Sequence, residues 1–259
     1  MSSSFGSALK ITIFGQSHAP AVGIVIEGLP AGEKINMEEL QHFLDRRAPG
    51  KSALSTSRRE EDVPEILSGL AGGVTCGAPL TAILRNKDTR SSDYDELRRV
   101  PRPGHADYPA SVKYHGFNDI RGGGQFSARL TAPMCVAGGI LLQIFARRGI
   151  RIGAHISEIA GIRDDPFDAV CAPDFDQIDA KPFPVLCRES GEAMQKAILE
   201  AKQAGDSVGG IVECMITGLP AGLCDPIFGS FEGLLSQAVF GIPAVKGIEF
   251  GSGDRKSVV

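Results

Sequence analysis

The chain has 259 residues, of which 42% are hydrophobic, and a formal net charge of −4. This length fits one large domain or two small ones with a sizeable core, and the acidic balance argues against a general nucleic-acid or membrane-surface role. The N-terminus lacks the regions of a signal peptide, and we expect no apolar run of membrane-spanning length. The sequence therefore predicts a soluble, cytoplasmic protein.

Short apolar and β-branched runs predict strands at 11–14 and 22–27, with a loop between them. Asn36 is the predicted N-cap of a helix that ends near Arg47, with Glu39 at the capping-box position. Further along, the spacing of apolar residues and the positions of glycines predict four more elements: a helix from about 127 to 148, a strand at 150–156, a helix at 190–204 and a strand at 211–217.

The strands at 22–27 and 211–217 both lead into the pentapeptide G-L-P-A-G, and each then leads towards a helix. This similarity indicates a duplicated sheet-and-helix unit, and hence α+β layers in one domain. The alternative is a chance likeness between two strand ends.

The six cysteines form no C-x-x-C pair, and several lie in apolar runs. We therefore expect buried, reduced thiols. Without a tight cluster of cysteine and histidine, we expect no metal site.

Lysines and arginines are concentrated between Arg85 and Arg129 of this otherwise acidic chain. The concentration indicates a pocket for a small polyanion, and its alternative is a solvated surface with scattered arginines. Arg46 and Arg47 end the first helix, where they either complement the helix dipole or place Arg47 in that pocket.

Two histidines have neighbours that suit proton transfer near neutral pH. His18 follows a strand in a loop beside Ser17, and His105 lies between Gly104 and Ala106, with Arg102 and Asp107 close by. Asp107 could orient the His105 ring, and Arg102 could hold an anion. The alternatives are a polar surface residue for His18 and a tight turn capped by Asp107 for His105. His42, His115 and His155 lack comparable neighbours, and His42 is expected to be exposed on its helix.

Three consecutive glycines, 122–124, precede the helix whose first turn holds Ser127 and Arg129. A helix N-terminus with unpaired amides suits an anion. The segment is neither G-x-G-x-x-G nor a P-loop, so it indicates neither Rossmann nor Walker chemistry. By itself, a run of glycines usually marks a flexible loop.

Taken together, these segments resemble the chorismate synthase family. The similar segments, in the family's order, are G-Q-S-H-A at 15–19, D-R-R-A-P-G at 45–50, N-x-D-x-R-S-x-D-Y at 86–94, R-P-G-H-A-D at 102–107, G-G-G-x-x-S-A-R at 122–129, G-D-S-V-G-G at 205–210 and I-P-A-V-K-G-I-E-F-G at 242–251.

The resemblance implies an α+β fold with helices sandwiched between sheets, in a homotetramer that requires neither nucleic acid nor membrane. It implies reduced FMN as cofactor and a 1,4-elimination of phosphate from 5-enolpyruvylshikimate 3-phosphate that gives chorismate. It also implies that His18 protonates the departing phosphate and that His105 serves the reduced flavin. Substrate binding would fall to Ser17, Arg47, Arg102 and Arg129, and flavin binding to Arg47, Gln125, Phe126, Ser127, Pro243 and Ala244.

The sequence also departs from the family pattern. Gln16 replaces the usual glutamate, Ala19-Pro20 replaces glycine-led residues, and Ala53 stands where many members have a basic residue. The family continues beyond Gly251, so we expect a single domain at 1–253 that is incomplete at its C-terminus. Residues 254–259 are then a non-native tail, or else an ordinary disordered one. The functional alternatives are an inactive truncated product that at most binds anions and an unrelated phosphate-binding module.

Overall fold

The computed structural model describes residues 3–48, 60–87, 99–168 and 173–251. The strands in these residues are β1 (Ser4–Phe5), β2 (Lys10–Gly15), β3 (Ala21–Glu27), β4 (Pro64–Ser68), β5 (Leu70–Ala71), β6 (Val74–Thr75), β7 (Leu80–Arg85), β8 (Arg151–Ile159), β9 (Ile162–Arg163) and β10 (Gly210–Thr217). The α-helices are α1 (Met37–Arg47), α2 (Asp107–Lys113), α3 (Thr131–Arg147), α4 (Phe175–Asp179), α5 (Arg188–Gln203) and α6 (Phe231–Val239). This mixture is the predicted α+β content.

The chain divides into two compact units, each of which contains sheet and helix. The first comprises Met1–Lys34, Val63–Ala137 and Pro220–Val259, and the second comprises Ile35–Asp62 and Gly138–Leu219. In the first unit, an antiparallel sheet has the strand order β1-β2-β3-β7-β4, and β5 pairs with β6 in a separate ribbon.

The core of the first unit lies on one face of β3 and β7. Side chains alternate between the two faces of a strand, so every second residue points into the core. The cross-strand pairs on this face have no exposed surface: they are Val22 with Leu84, Ile24 with Ala82, and Ile26 with Leu80. The loop after β2 leads into β3, and the next loop begins at the end of β7, so this pair of strands anchors both loops.

In the second unit, α1 begins at the predicted N-cap. Asn36 Oδ1 accepts hydrogen bonds from the backbone amides of Glu38 and Glu39. The backbone amide of Asn36 donates to Gln143 Oε1 at 2.8 Å, and Gln143 Nε2 donates back to Asn36 O at 3.0 Å. Gln143 of α3 thus takes the capping role that the sequence pattern assigned to Glu39.

The sheet of the second unit has the order β10-β8-β9. Gly153 of β8 leaves room for the ring of Phe175, since a Cβ at Gly153 would lie 2.1 Å from that ring. Phe175 belongs to a buried cluster with Phe167 and Ile178. The helix α4 therefore packs directly on bare strand backbone.

The two G-L-P-A-G segments share their local geometry. Gly28 and Gly218, which open them, have φ of +84° and +75°. A Cβ on Gly28 would lie 2.0 Å from Ala8 O, and one on Gly218 would lie 2.1 Å from Gly149 O. Both segments therefore begin at a turn where only glycine fits.

Two expectations from the sequence are wrong. Cys76, Cys214 and Cys224 are exposed rather than buried, and Cys214 lies on β10, an edge strand of its sheet. The stretch Ala128–Arg147 is long and apolar enough to cross a membrane by length and composition, with a mean hydropathy of 1.4 over its best window. Half of that window is buried inside the protein, as in a core helix that is apolar on most sides.

Candidate functional site

His18 and Ser17 lie in the loop that follows β2 and are almost completely buried, with 8% and 0% of their surface exposed. The backbone amide of Ser17 donates to Gly124 O at 3.1 Å. This bond holds the His18 loop against the run of three glycines. The interpretation of His18 as a surface residue is therefore wrong.

The three glycines form a turn in which every residue has a positive φ: 57° at Gly122, 83° at Gly123 and 56° at Gly124. A Cβ on Gly122 would lie 2.4 Å from His18 Nδ1 and 2.5 Å from Ser17 Oγ, and a Cβ on Gly123 would lie 3.1 Å from His105 Nε2. The backbone of this turn therefore contacts His18 at one glycine and His105 at the next.

His105 is held by a carboxylate and a guanidinium from its own loop. Its Nδ1 lies 2.7 Å from Asp107 Oδ1, and Arg102 donates to Asp107 through Nε at 2.8 Å and Nη2 at 2.9 Å. These hydrogen bonds from Arg102 lower the pKa of Asp107 from 3.8 to about 2. An ionised Asp107 accepts the Nδ1–H of His105, which leaves Nε2 as the ring nitrogen that faces the glycine turn.

Arg129 is buried at the start of the helical region, with 4% of its surface exposed. Its backbone amide donates to Ser127 Oγ at 3.3 Å, and its Nε donates to Asn86 Oδ1 at 2.9 Å. Ser127 is thus the N-cap of the short turn Ala128–Leu130 that carries Arg129, whereas the sequence placed Ser127 within the first turn of the helix. A buried guanidinium at a helix start gives the site a fixed positive charge for an anion.

Asp119 is a residue of this site that the sequence did not single out. Hydrogen bonds from Arg121 lower the pKa of Asp119, with a smaller contribution from His18. Asp119 therefore places a carboxylate in the surroundings of His18. The feature of the sequence that could have indicated Asp119 is its position, two residues before Arg121 and three before the glycine turn.

The other predicted site residues occupy different surroundings. Gln125 is half-buried and Phe126 is 40% exposed beside the glycine turn. Pro243 and Ala244 are exposed after α6, in a turn whose bonds are local, such as Val245 N to Ile242 O. The structure therefore brings together Ser17, His18, His105, Arg102, Ser127 and Arg129, and it leaves Pro243 and Ala244 in solvent.

Arg47 belongs to the second unit, where it forms an ion pair with Asp62. The Asp62 side chain has no exposed surface, so this pair is a strong constraint on the end of α1. Residues 49–50 of the arginine-pair segment, Ala53, residues 88–94 and the tail at 254–259 lie outside the described residues.

His155 contradicts the expectation that it lacks notable neighbours. It is 1% exposed, its Nδ1 lies 3.0 Å from Asp164 Oδ2 and its Nε2 lies 2.8 Å from Glu213 Oε2. Its ring also packs edge-on against Phe167. No local pattern indicated this cluster, because the two carboxylates come from residues 9 and 58 positions away.

A cleft of about 450 Å³ in the second unit is lined by Phe43, Arg46, Arg151, Asp176 and Asp179, among others. Its arginines are paired within the cleft, Arg46 with Asp179 and Arg151 with Asp176. It contains none of the predicted substrate residues. The chemistry-bearing groups lie instead around the glycine turn of the first unit.

A buried histidine, a second histidine fixed by a carboxylate and a buried arginine lie around one glycine turn of this α+β protein. Such a set of residues is expected of an enzyme that moves protons on an anionic substrate. The family model for chorismate synthase matches residues 9–258, and the chain belongs to the chorismate synthase family. It is a lyase of aromatic amino-acid biosynthesis, whose reaction eliminates phosphate from 5-enolpyruvylshikimate 3-phosphate to give chorismate.

Curated relatives and a solved structure agree with this assignment. The chain is 48% identical to a chorismate synthase of Korarchaeum cryptofilum, over 97% of this chain and 69% of that protein. It is 46% identical to a chorismate synthase of Lancefieldella parvula, over 98% of this chain and 70% of that protein. A crystal structure of chorismate synthase superposes with a TM-score of 0.76 at 27% identity, covering 96% of this chain and 70% of that one. The alternative of an anion-binding, inactive product is not favoured by matches of this extent.

Proposed function

We propose that this chain makes chorismate with reduced FMN as cofactor, and that the glycine turn at 122–124 is the centre of its active site. The observation that carries the proposal is the position of the turn, whose consecutive glycines contact His18 and His105. Two proton-handling groups beside one side-chain-free surface suit a planar ligand between general acid and general base.

We propose that the flavin lies beside this turn. Gly123 and Gly124 are buried without a side chain, and the ring of Phe126 is partly exposed next to them. A Cβ at Gly123 would fill the space next to His105 Nε2. Gln125, Phe126, Ser127, Pro243, Ala244 and Arg47 are the residues proposed to hold the cofactor. When bound, reduced FMN supplies electron density that assists the departure of phosphate.

Each polar group then has a role of its own. Arg129, Arg102, Arg47 and Ser17 bind the phosphate and carboxylates of the substrate. His18 gives a proton to the departing phosphate oxygen, and the carboxylate of Asp119 belongs to its surroundings. His105 holds a proton at Nε2 for the flavin, while Asp107 fixes the opposite nitrogen.

The assay is chorismate formation from 5-enolpyruvylshikimate 3-phosphate under anaerobic conditions. We expect turnover with reduced FMN and none with oxidised FMN in the absence of a reductant. Turnover with oxidised FMN alone would refute the proposed cofactor role. A flavin fluorescence titration, which reports binding independently of turnover, separates a failure to bind FMN from a failure of the chemistry.

We further propose a cytoplasmic homotetramer that acts without nucleic acid or membrane. Support comes from large apolar side chains that are exposed in the isolated chain, such as Phe228 and Ile227, since such residues commonly mark subunit contacts. Light scattering during size-exclusion chromatography measures the assembly directly. A monomer at every concentration would contradict it.

A further inference from the structure

Asn86 contacts both the loop that carries His18 and the guanidinium of Arg129. Its side-chain Nδ2 donates to Gln16 O at 3.0 Å and to Ala19 O at 2.7 Å, so the amide spans the loop on both sides of His18. Its Oδ1 accepts from Arg129 Nε at 2.9 Å. One side chain therefore connects two site groups that are far apart in the sequence.

Asn86 is itself held by the sheet. It directly follows β7, whose last residue Arg85 pairs with Ala21 at the start of β3. Its backbone amide donates to Pro20 O at 3.1 Å. Because these strands form the rigid core of the first unit, the amide of Asn86 has a fixed position from which to orient the loop and the guanidinium.

The pattern of bonds requires an amide. Asn86 uses a donor group towards two carbonyls and an acceptor towards a guanidinium, and only the asparagine and glutamine side chains combine these functions. Aspartate would keep the acceptor for Arg129 but would place an oxygen against the carbonyls of Gln16 and Ala19. Alanine would remove both functions, including the acceptor for Nε–H of the buried Arg129.

We propose that Asn86 is a positioning residue, which holds the His18 loop and Arg129 in one frame so that the proton donor and the anion-binding cation meet the same substrate. This inference rests on the proposed roles of His18 and Arg129. It adds a residue that does not contact the substrate itself and that acts through the positions of His18 and Arg129.

Two variants separate the bonds to the loop from the bond with Arg129. Asn86→Ala removes all three bonds, and Asn86→Asp removes only the two bonds to the loop. The matched control is Asn36→Asp, because the Asn36 side chain only accepts hydrogen bonds, from Glu38 N and Glu39 N, and aspartate accepts them equally well. The readouts are the NMR signal of the His18 ring and the hydrogen-exchange protection of the Arg129 Nε–H.

We expect Asn86→Ala to shift the His18 signal and to remove the protection of the Arg129 Nε–H. We expect Asn86→Asp to shift His18 while Arg129 stays protected, and Asn36→Asp to change neither. Unchanged His18 and Arg129 signals in a folded Asn86→Ala variant would overturn the inference. If that variant does not fold, an unshifted His18 signal in Asn86→Asp overturns it instead.

Steady-state turnover tests whether the same bonds affect catalysis. A misplaced catalytic group lowers kcat more than it raises KM, so we expect Asn86→Asp to lower kcat about 10-fold or more. In a His18→Ala background the same change should have little further effect, because coupled residues are not additive. Full additivity would overturn the positioning role. Wild-type turnover in His18→Ala alone would refute the proposed function, while the NMR arm would still decide whether Asn86 couples the two groups.

Discussion

His105 Nδ1 lies 2.7 Å from Asp107 Oδ1, and a Cβ on Gly123 would lie 3.1 Å from the other ring nitrogen, Nε2. The ring is thus oriented by a carboxylate two residues away and directed at the glycine turn. Asp107 in turn depends on Arg102, which binds both of its oxygens. Arg102 therefore orients the acid–base group in addition to its proposed contact with substrate.

The Asp107 carboxylate should make stability depend on pH in acid. Its pKa is about 2 in the folded chain, against an ordinary value of 3.8 for aspartate, so its contribution is present above about pH 4 and is lost as the pH falls through about 2. We expect Asp107→Asn to lower the free energy of unfolding by about 2 kcal/mol at neutral pH, and by progressively less between pH 4 and pH 2. Denaturant unfolding at several pH values measures this.

Asp206→Asn is the control for the Asp107 prediction. Asp206 is exposed and its Oδ1 accepts a bond from Ser207 N, which an amide oxygen also accepts. Its effect should be small at every pH. A pH-independent effect of Asp107→Asn would show that the Arg102–Asp107 pair does not stabilise the fold electrostatically.

The glycine turn can be tested with two glycines of nearly the same φ. Gly122 and Gly72 have φ of 57° and 58°. A Cβ on Gly122 would lie 2.4 Å from the His18 ring, whereas a Cβ on Gly72 would have no described atom within 4 Å. We expect Gly72→Ala to cost about 1 kcal/mol for the strained φ. Gly122→Ala should cost clearly more and should shift the NMR signal of the His18 ring. Equal costs and an unmoved His18 signal would mean that the turn does not contact the histidine.

His155 should be a major contributor to stability. Both of its nitrogens contact carboxylates, and Asp164 also accepts from Leu186 N and Cys187 N. Removing one partner of a buried charged cluster costs about 3–5 kcal/mol, so we expect His155→Leu to have that effect in urea unfolding. Arg188→Ala, which breaks the exposed pair with Glu192, should cost less than about 1 kcal/mol. Similar losses in the two variants would contradict the structural role of His155.

The segment before α6 should drive association. Phe228 and Ile227 are 96% and 79% exposed, and contiguous apolar surface of this kind promotes self-association. We expect the wild-type chain to associate with increasing concentration in light scattering, and Ile227→Ser with Phe228→Ser to reduce this. Phe117→Ser, at a residue that is 92% exposed elsewhere in the chain, is the control. If it reduces association equally, general surface hydrophobicity is responsible rather than this segment.

Local patterns predicted what local interactions determine. Asn36 was recognisable as an N-cap because its side-chain bonds reach only the first turn of α1, and the alternation in β3 follows from one face being buried. The R-P-G-H-A-D segment likewise contains its own partners, since Arg102, His105 and Asp107 bind one another within six residues.

Contacts between distant segments could not be predicted in this way. The partners of His155 come from two separate segments, and the Asn36 amide binds Gln143, which is 107 residues away. The contact between Gly122 and His18 also depends on how the loops pack. Nothing in the spacing of the glycines distinguishes such a turn from a flexible loop until the loop after β2 is placed against it.

The most direct test of the proposed site is the single-turnover rate of histidine variants with 5-enolpyruvylshikimate 3-phosphate and reduced FMN. We expect His18→Ala and His105→Ala each to slow the reaction by about 10² or more, the usual effect of losing a general acid or base. His42→Ala, at an exposed position of α1, should react at the wild-type rate. Near wild-type rates in both His18→Ala and His105→Ala would contradict the account, because the histidines beside the glycine turn would then be structural.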